Sequence, residues 1–175
     1  NALDSRFIYG GYNLYIQFRR LRVYTSSDRF IACLTPSFLH DITQMTPADL
    51  VKKYGTHVLT DINLGARLSL YYQAKTKNSD REAAARAGLN DGAKKRLMIS
   101  IDDVFDTSAS SSNYSARLAY VTAGGSPTFG GTIGCINLDK TVSSINIESW
   151  KNSLSEDNAT LIGIGDNGLI PLYDF

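Results

Sequence analysis

From Val58 to Ala74 the sequence alternates with a period of two: Val58, Thr60, Ile62, Leu64, Ala66, Leu68, Leu70, Tyr72 and Ala74 share one face. The other face carries mostly polar groups, Asp61, Asn63, Arg67, Ser69, Gln73 and Lys75. That is the pattern of an antiparallel strand with one wet side. At about 3.3 Å per residue the run extends roughly 56 Å, about three times an ordinary strand. Ordinary small domains seldom contain such a strand.

Further strands are predicted on either side of it. Residues 6–24 are rich in Tyr, Ile, Phe and Val, with Tyr12, Leu14, Ile16 and Phe18 on one parity. Arg19, Arg20 and Arg22 break that pattern, so either the register turns there or both faces meet solvent. Gly10-Gly11 marks a candidate bend. Another strand is predicted over Asn113–Ala123, ending at Gly124-Gly125-Ser126-Pro127, where the glycines signal a bend or close packing. Two short helices precede the longest strand. Thr35-Pro36 opens one and Thr46-Pro47 the other, each with a capping hydroxyl before a proline at the first helical position. Asp49 completes a capping-box variant with Thr46, and Gly55 is the expected stop. Beyond Gly130 lie short apolar pieces (132–138, 142–147, 161–164), a helix candidate over 147–154, and Pro171. No repeat or linker divides the chain, which reads as a single domain, or part of one, over 1–175.

Composition narrows the function. Of 175 residues 43% are apolar, enough for a core, and the net charge of +1 offers no field to draw the chain onto phosphate backbones. Nucleic acid is not an expected partner. No apolar run approaches the roughly 20 residues a membrane-spanning helix needs, so the resting form is expected to be soluble. The sequence starts at Asn1 without a signal core, and something is expected to precede it. Cys33 and Cys135 could form one disulfide or remain two buried thiols. The sequons Asn113-Tyr114-Ser115 and Asn158-Ala159-Thr160 have meaning only in a eukaryotic secretory pathway.

Between the long strands, residues 77–112 hold an Ala-rich stretch and then a Ser-rich one. Asp80–Leu89 has high helix propensity through Ala83, Ala84, Ala85 and Ala87, with Asp80 and Glu82 in its first turn. The same segment also satisfies a period of two. Odd positions from 83 to 101 are apolar in eight cases of ten, even positions from 82 to 102 in two of eleven. Midway, Asn90-Asp91-Gly92 is a hairpin-turn signal with arms of about nine to thirteen residues, where membrane strands need about 9 to 11. Two readings stay open on pattern alone. One is a surface helix, a loop and a short strand at Leu97–Ile101. The other is a hairpin whose lipid-facing residues are Ala83, Ala85, Ala87, Leu89, Leu97, Ile99 and Ile101, folded as a helix that ends at Asn90-Asp91-Gly92 in the resting state.

Lys53-Tyr54-Gly55-Thr56-His57, leading into a strand that runs through Leu64-Gly65-Ala66, resembles the signature of the membrane-attack-complex/perforin (MACPF) family. Its place between a short helix and the longest strand is similar too. Gly124-Gly125, Trp150-Lys151-Asn152-Ser153 and Ile170-Pro171-Leu172 resemble later family landmarks. Val58 and Ala66 depart from the pattern, where many members have an aromatic residue and a second glycine. In the family a first helical cluster and a first central strand lie ahead of the signature. With 53 residues before Tyr54, the chain is expected to be the later portion of a domain about twice as large.

The resemblance implies an α+β fold: a bent, twisted antiparallel sheet of long strands with flanking helical clusters, as in MACPF proteins and cholesterol-dependent cytolysins. It implies a secreted or cell-surface protein, with a bacterial member as the expectation. The full-length protein would form a homo-oligomer through its sheet edges on a lipid membrane, aided or not by a receptor. It would refold helical clusters, here 79–112, into a barrel. Tyr54, Gly55, Thr56, His57 and Gly65 would serve structure, as a tight helix-to-strand junction and its strand. Gly124 and Gly125 would bend the sheet. No catalytic residue, metal or cofactor is expected: His40 and His57 have no partners at ligand spacing, and no nucleophile elbow is present. Gly163-Ile164-Gly165-Asp166-Asn167-Gly168 spells a dinucleotide-binding pattern, but Pro171 and the end of the sequence follow where a helix should begin. Asp91, Lys95 and Asp103 on the apolar parity keep an alternative open, a non-lytic binding or adhesion protein on the same scaffold.

Overall fold

A computed structural model describes residues 7–24, 27–101, 107–126, 133–140 and 147–174. In chain order the elements are β1 (Phe7–Arg22), α1 (Ser27–Ile31), α2 (Pro36–Gln44), α3 (Pro47–Tyr54), β2 (His57–Leu59), β3 (Asp61–Thr76), α4 (Arg81–Leu97), β4 (Asn113–Ala123), β5 (Ile133–Asn137), α5 (Ile147–Asn152), β6 (Thr160–Ile164) and β7 (Leu169–Pro171). One sheet has the order β1-β3-β4-β5, with β6 also pairing β3, and β2 pairs β7 separately. The architecture is α+β with antiparallel pairing, as the sequence led us to expect. The chain divides into two compact units, Asn1–Phe18 with Gly65–Thr160, and Arg19–Leu64 with Leu161–Phe175.

In the first unit β3 turns its even residues inward. Ala66, Leu68, Leu70 and Ala74 are fully buried and Tyr72 nearly so, packed with Ala116, Leu118 and Tyr120 of β4, Ile136 of β5 and Ala84, Ala93 and Leu97 of α4. Tyr12, Leu14 and Ile16 of β1 close that core on the parity read from the sequence. Burying each of the larger side chains stabilises by roughly 1.5–3 kcal/mol. The opposite face of β3 is drier than expected. Ser69 is buried, its hydroxyl donating to Asn13 Oδ1 at 2.6 Å across to β1.

Glycines let backbones touch in this unit. A Cβ at Gly65 would lie 2.0 Å from Ile16 O, and one at Gly124 would lie 2.7 Å from Gly65 O. Gly124 and Gly125 also have φ of +76° and +87°, where L side chains are strained. They turn the chain just after β4, so that Trp150 Nε1 of α5 donates to Gly124 O at 3.0 Å.

In the second unit the predicted caps form. Thr35 Oγ1 accepts from Phe38 N and Thr46 Oγ1 from Asp49 N, each with proline following; helix α1 was not foreseen. The strand predicted from Val58 is two strands. At Thr60 the ladder breaks, its N–H donating to Gly168 O and its carbonyl accepting from Val23 N. Asp61, expected on the wet face, is 2% exposed. Arg20 Nε and Nη2 grip its two oxygens at 2.8 and 2.6 Å, and Arg22 Nε lies at 3.5 Å. Two of the three arginines that broke the β1 pattern, Arg20 and Arg22, therefore serve this carboxylate. The glycine motif at 163–168 folds over the same residue. Gly165 N donates to Asp61 O at 2.9 Å, and a Cβ at Gly165 would fall 2.4 Å from the Asp61 carboxylate. Gly165 and Gly168 serve close approach to Asp61.

Two predictions follow from these contacts. Gly65→Ala should cost about 1–3 kcal/mol or more by overpacking, read as a lower urea midpoint. The Arg20 hydrogen bonds hold the Asp61 carboxyl below the ordinary carboxylate range. Since the folded value is depressed, the contribution to stability is complete above the unfolded value and is lost as pH falls through the folded one. Asp61→Asn should therefore destabilise at neutral pH and flatten the acid limb of a urea-midpoint curve. An acid limb as steep as that of the parent protein would rule this account out.

Candidate functional site

The signature residues lie in the second unit and build a junction. Tyr54 ends α3, its ring edge-on to Phe38 at 4.9 Å and its hydroxyl donating to Asp41 Oδ2 at 2.6 Å. Lys53 donates to the same oxygen, and the two bonds, Lys53 first, hold the Asp41 carboxyl low. Gly55 stops the helix at φ +83°, donating to Val51 O at 2.9 Å. Thr56 Oγ1 pairs with His57 Nδ1 at 2.8 Å, and Leu172 N donates to Thr56 O at 2.9 Å. Strand β2 then pairs β7, with Val58 opposite Ile170 and His57 opposite Pro171, so landmarks far apart in sequence meet. Each residue here ends, turns or starts an element. Beside it, α1, α2, α3 and Leu172 line an apolar cavity of about 750 Å³.

The insert lies in the first unit. Asp80 caps α4 by accepting from Ala83 N at 3.0 Å, and the helix runs unbroken to Leu97. The expectation that it would stop at Asn90-Asp91-Gly92 is corrected, because tertiary contacts outweigh the local turn signal. Asn90 is buried, with Oδ1 accepting from Ile101 N at 3.3 Å. Asp91 pairs with Lys95 one turn on, at 2.9 Å. Gly92 lies so close to Leu138 that a Cβ would come within 2.9 Å of its methyl carbon. The stop is Met98 instead, left-handed at φ 57°, ψ 29°, its N–H bonded back to Ala93 O. No strand forms at Leu97–Ile101.

Of the residues read as lipid-facing, Ala85, Ala87, Leu89, Leu97 and Ile99 are buried, and Ala83 and Ile101 partly so. On the opposite parity Glu82, Arg86, Lys94 and Ser100 are exposed, while Ala84, Gly88, Asn90 and Gly92 are buried because a helix buries a stripe of its own period. The seat of α4 is set by three residues that the sequence did not single out for it. At Gly88 a Cβ would be 2.3 Å from the Tyr72 hydroxyl oxygen. Asn113 Nδ2 donates to that hydroxyl at 3.0 Å and to Ala84 O at 2.8 Å, while its buried Oδ1 finds no hydrogen-bond partner among the described residues. Burial raises the Tyr72 phenol above its ordinary pKa. Arg81 Nη2 donates to Phe7 O at 2.6 Å and Arg96 Nη2 to Lys140 O at 2.8 Å, tying both ends of the helix. Cys33 and Cys135 are free, exposed thiols. Among the described residues no helix is long and apolar enough to cross a membrane, which leaves crossing by strands untouched.

Gly88→Ala should destabilise the protein by about 1–3 kcal/mol, although alanine favours a helix over glycine by roughly 0.8–1 kcal/mol. Tyr72 is buried and hydrogen-bonded, so its ring has nowhere to retreat. Thermal or urea unfolding checks the sign, and a stabilised variant would mean that α4 is not seated at Gly88.

The MAC/Perforin domain family matches residues 19–173. Among solved structures, a Bacteroides thetaiotaomicron protein with a MAC/Perforin domain, named as a candidate cell invasion protein, superposes with a TM-score of 0.69 at 19% identity. The match covers 100% of this chain and 38% of that one, so the chain spans well under half of that protein's length. No curated protein matches in sequence.

Proposed function

Because the chain belongs to the MAC/Perforin domain family, we propose that it is the part of a perforin-like, pore-forming protein that keeps one membrane hairpin in reserve, folded as α4. The observation that carries this reading is the concealment of the alternating residues. Ala85, Ala87, Leu89, Leu97 and Ile99 form an apolar stripe only in an extended chain, and all five are buried in the resting fold, the first four on α4 and Ile99 just beyond its end. The full-length protein, secreted or at a cell surface, would assemble side by side through its sheet edges on a target membrane. It would then extend the insert between β3 and β4, closing a barrel that satisfies every backbone group in lipid. Alanine suits both states, since it is the best helix former and small enough for a barrel wall.

The test uses the longest native form of the protein with Cys33 and Cys135 first replaced. Environment-sensitive dyes at positions 83, 85, 87, 97, 99 and 101 should report lipid in leaking liposomes, and dyes at 82, 86, 94, 96 and 100 should report water. Water at both parities in liposomes that leak would sink the assignment of the insert. A disulfide pinning α4 to the sheet should abolish leakage until it is reduced.

A second reading, a non-lytic binding or adhesion protein, is favoured by Asp91 and Lys95. Both lie on the apolar parity and pair with each other in the helix, which weakens the stripe. Membrane binding without dye release, at any dose, would favour it.

A further inference from the structure

The pairing of β3 with β4 changes phase once. Leu68 faces Thr122, Leu70 faces Tyr120, Tyr72 faces Leu118 and Gln73 faces Arg117, but Lys75 faces Tyr114 and Thr76 faces Asn113. One extra residue is therefore inserted in β4 between Arg117 and Tyr114, and Ser115 there takes φ +51°. This bulge inverts which side chains point inward. From Ala116 onward the even residues of β4 are buried; an unbroken strand would bury Tyr114 and expose Asn113. Instead Tyr114 is 44% exposed, and Asn113 reaches Tyr72 and the Ala84 carbonyl of α4. The bulge thus turns one asparagine under the helix.

The same phase shift decides which face the insert would present. Extending the bulged register into the insert pairs odd residues with even ones, so the apolar odd rows of the two arms would fall on different faces of the hairpin. Extending the register of Leu68–Gln73, without the bulge, pairs odd with odd: Leu89 with Ile101, Asp91 with Ile99 and Ala93 with Leu97. Both apolar rows then share one face, and the reversal falls at Lys94-Lys95-Arg96, a basic tip, rather than at Asn90-Asp91-Gly92.

We propose that the Ser115 bulge and Asn113 form a latch that couples seating of α4 to the phase of β4. Closed, the bulge aims Asn113 at the helix. Flattened, it withdraws Asn113 and brings the two apolar rows into register in the same step. This inference rests on the proposed extension of the insert, but its first test needs no membrane.

Hydrogen exchange of the soluble 175-residue chain reads local opening of α4 against the centre of β4. Ser115→Val, which disfavours a positive φ, should speed exchange of α4 amides about tenfold, and Ser115→Gly, which accepts it, should slow them several-fold. Asn113→Ala should act like Ser115→Val, and Tyr72→Phe, which keeps the bond to Ala84 O, should act more weakly. Amides of Leu118–Val121 should stay unchanged throughout. Equal effects on α4 and β4, or the same sign for the two Ser115 variants, would overturn the latch. The second test uses the longest native form on liposomes of mixed anionic and neutral phospholipid, with Cys33 and Cys135 replaced. Leu89→Cys should cross-link with Ile101→Cys. Cross-linking of Leu89→Cys with Ser100→Cys instead would mean that the bulge persists. Cross-linking of Ala85→Cys with Leu97→Cys would place the reversal at Asp91. Either overturns the re-phasing. Absence of all three links, with the exchange results as expected, would leave the latch standing and fail the hairpin reading itself.

Discussion

Backbone contact at Gly65 is the constraint that the other features must respect. Three chain segments meet there with no side chain between them: Ile16 of β1, Gly65 of β3 and Gly124 beyond β4, with a Cβ on Gly65 admitting only 2.0 Å to Ile16 O. Strands brought that close leave only their flanking residues to fill the core, which is why Ala66, not a larger residue, follows and is completely buried. The approach also sets where α5 can sit, because Gly124 offers its carbonyl to Trp150 only once the left-handed turn at Gly124-Gly125 has been made. The division between the two compact units falls at Leu64 and Gly65.

Electrostatics and sterics reinforce each other at Asp61. A buried carboxylate is costly unless its oxygens are matched, and the planar guanidinium of Arg20 matches both. The remaining space is closed by Gly165 and Gly168, which could carry no side chain without striking Asp61. A motif whose spelling suggests nucleotide binding thus works as a lid on an ion pair. The lesson is general: glycine spacing specifies where backbones come close, and only the neighbouring groups say what they come close to.

Features encoded over a few residues were legible in the sequence. The caps at Thr35 and Thr46 and the stop at Gly55 depend on local geometry and form as read, and the alternation over β3 and β4 marks real strands, although the run from Val58 breaks at Thr60. What escaped depends on tertiary neighbours. Asn90-Asp91-Gly92 is a turn by propensity, yet Leu138 and Ile101 engage Gly92 and Asn90 from outside the helix, while Lys95 pairs with Asp91 within it. Asp61 and Ser69 looked wet because parity says nothing of a cross-strand arginine or asparagine. Asn113 was visible only as a sequon and as the start of a strand. The bulge that turns it inward leaves no mark on composition or period, since one extra residue in eleven is invisible to a count of alternation.

Asn113 carries one more implication, for biosynthesis. Its carboxamide nitrogen is the atom a glycosyltransferase would modify, and that atom already holds Tyr72 and Ala84; Asn158 Nδ2 is likewise engaged, with Ser153 O at 2.7 Å. In a eukaryotic secretory compartment, sugar could reach either asparagine only before the surrounding chain had folded. Once attached at Asn113, an oligosaccharide would fill the place of the helix. Occupancy of that sequon, weighed on the finished protein, would therefore be a record of timing: it would show whether the insert found its seat before or after the transferase found the chain.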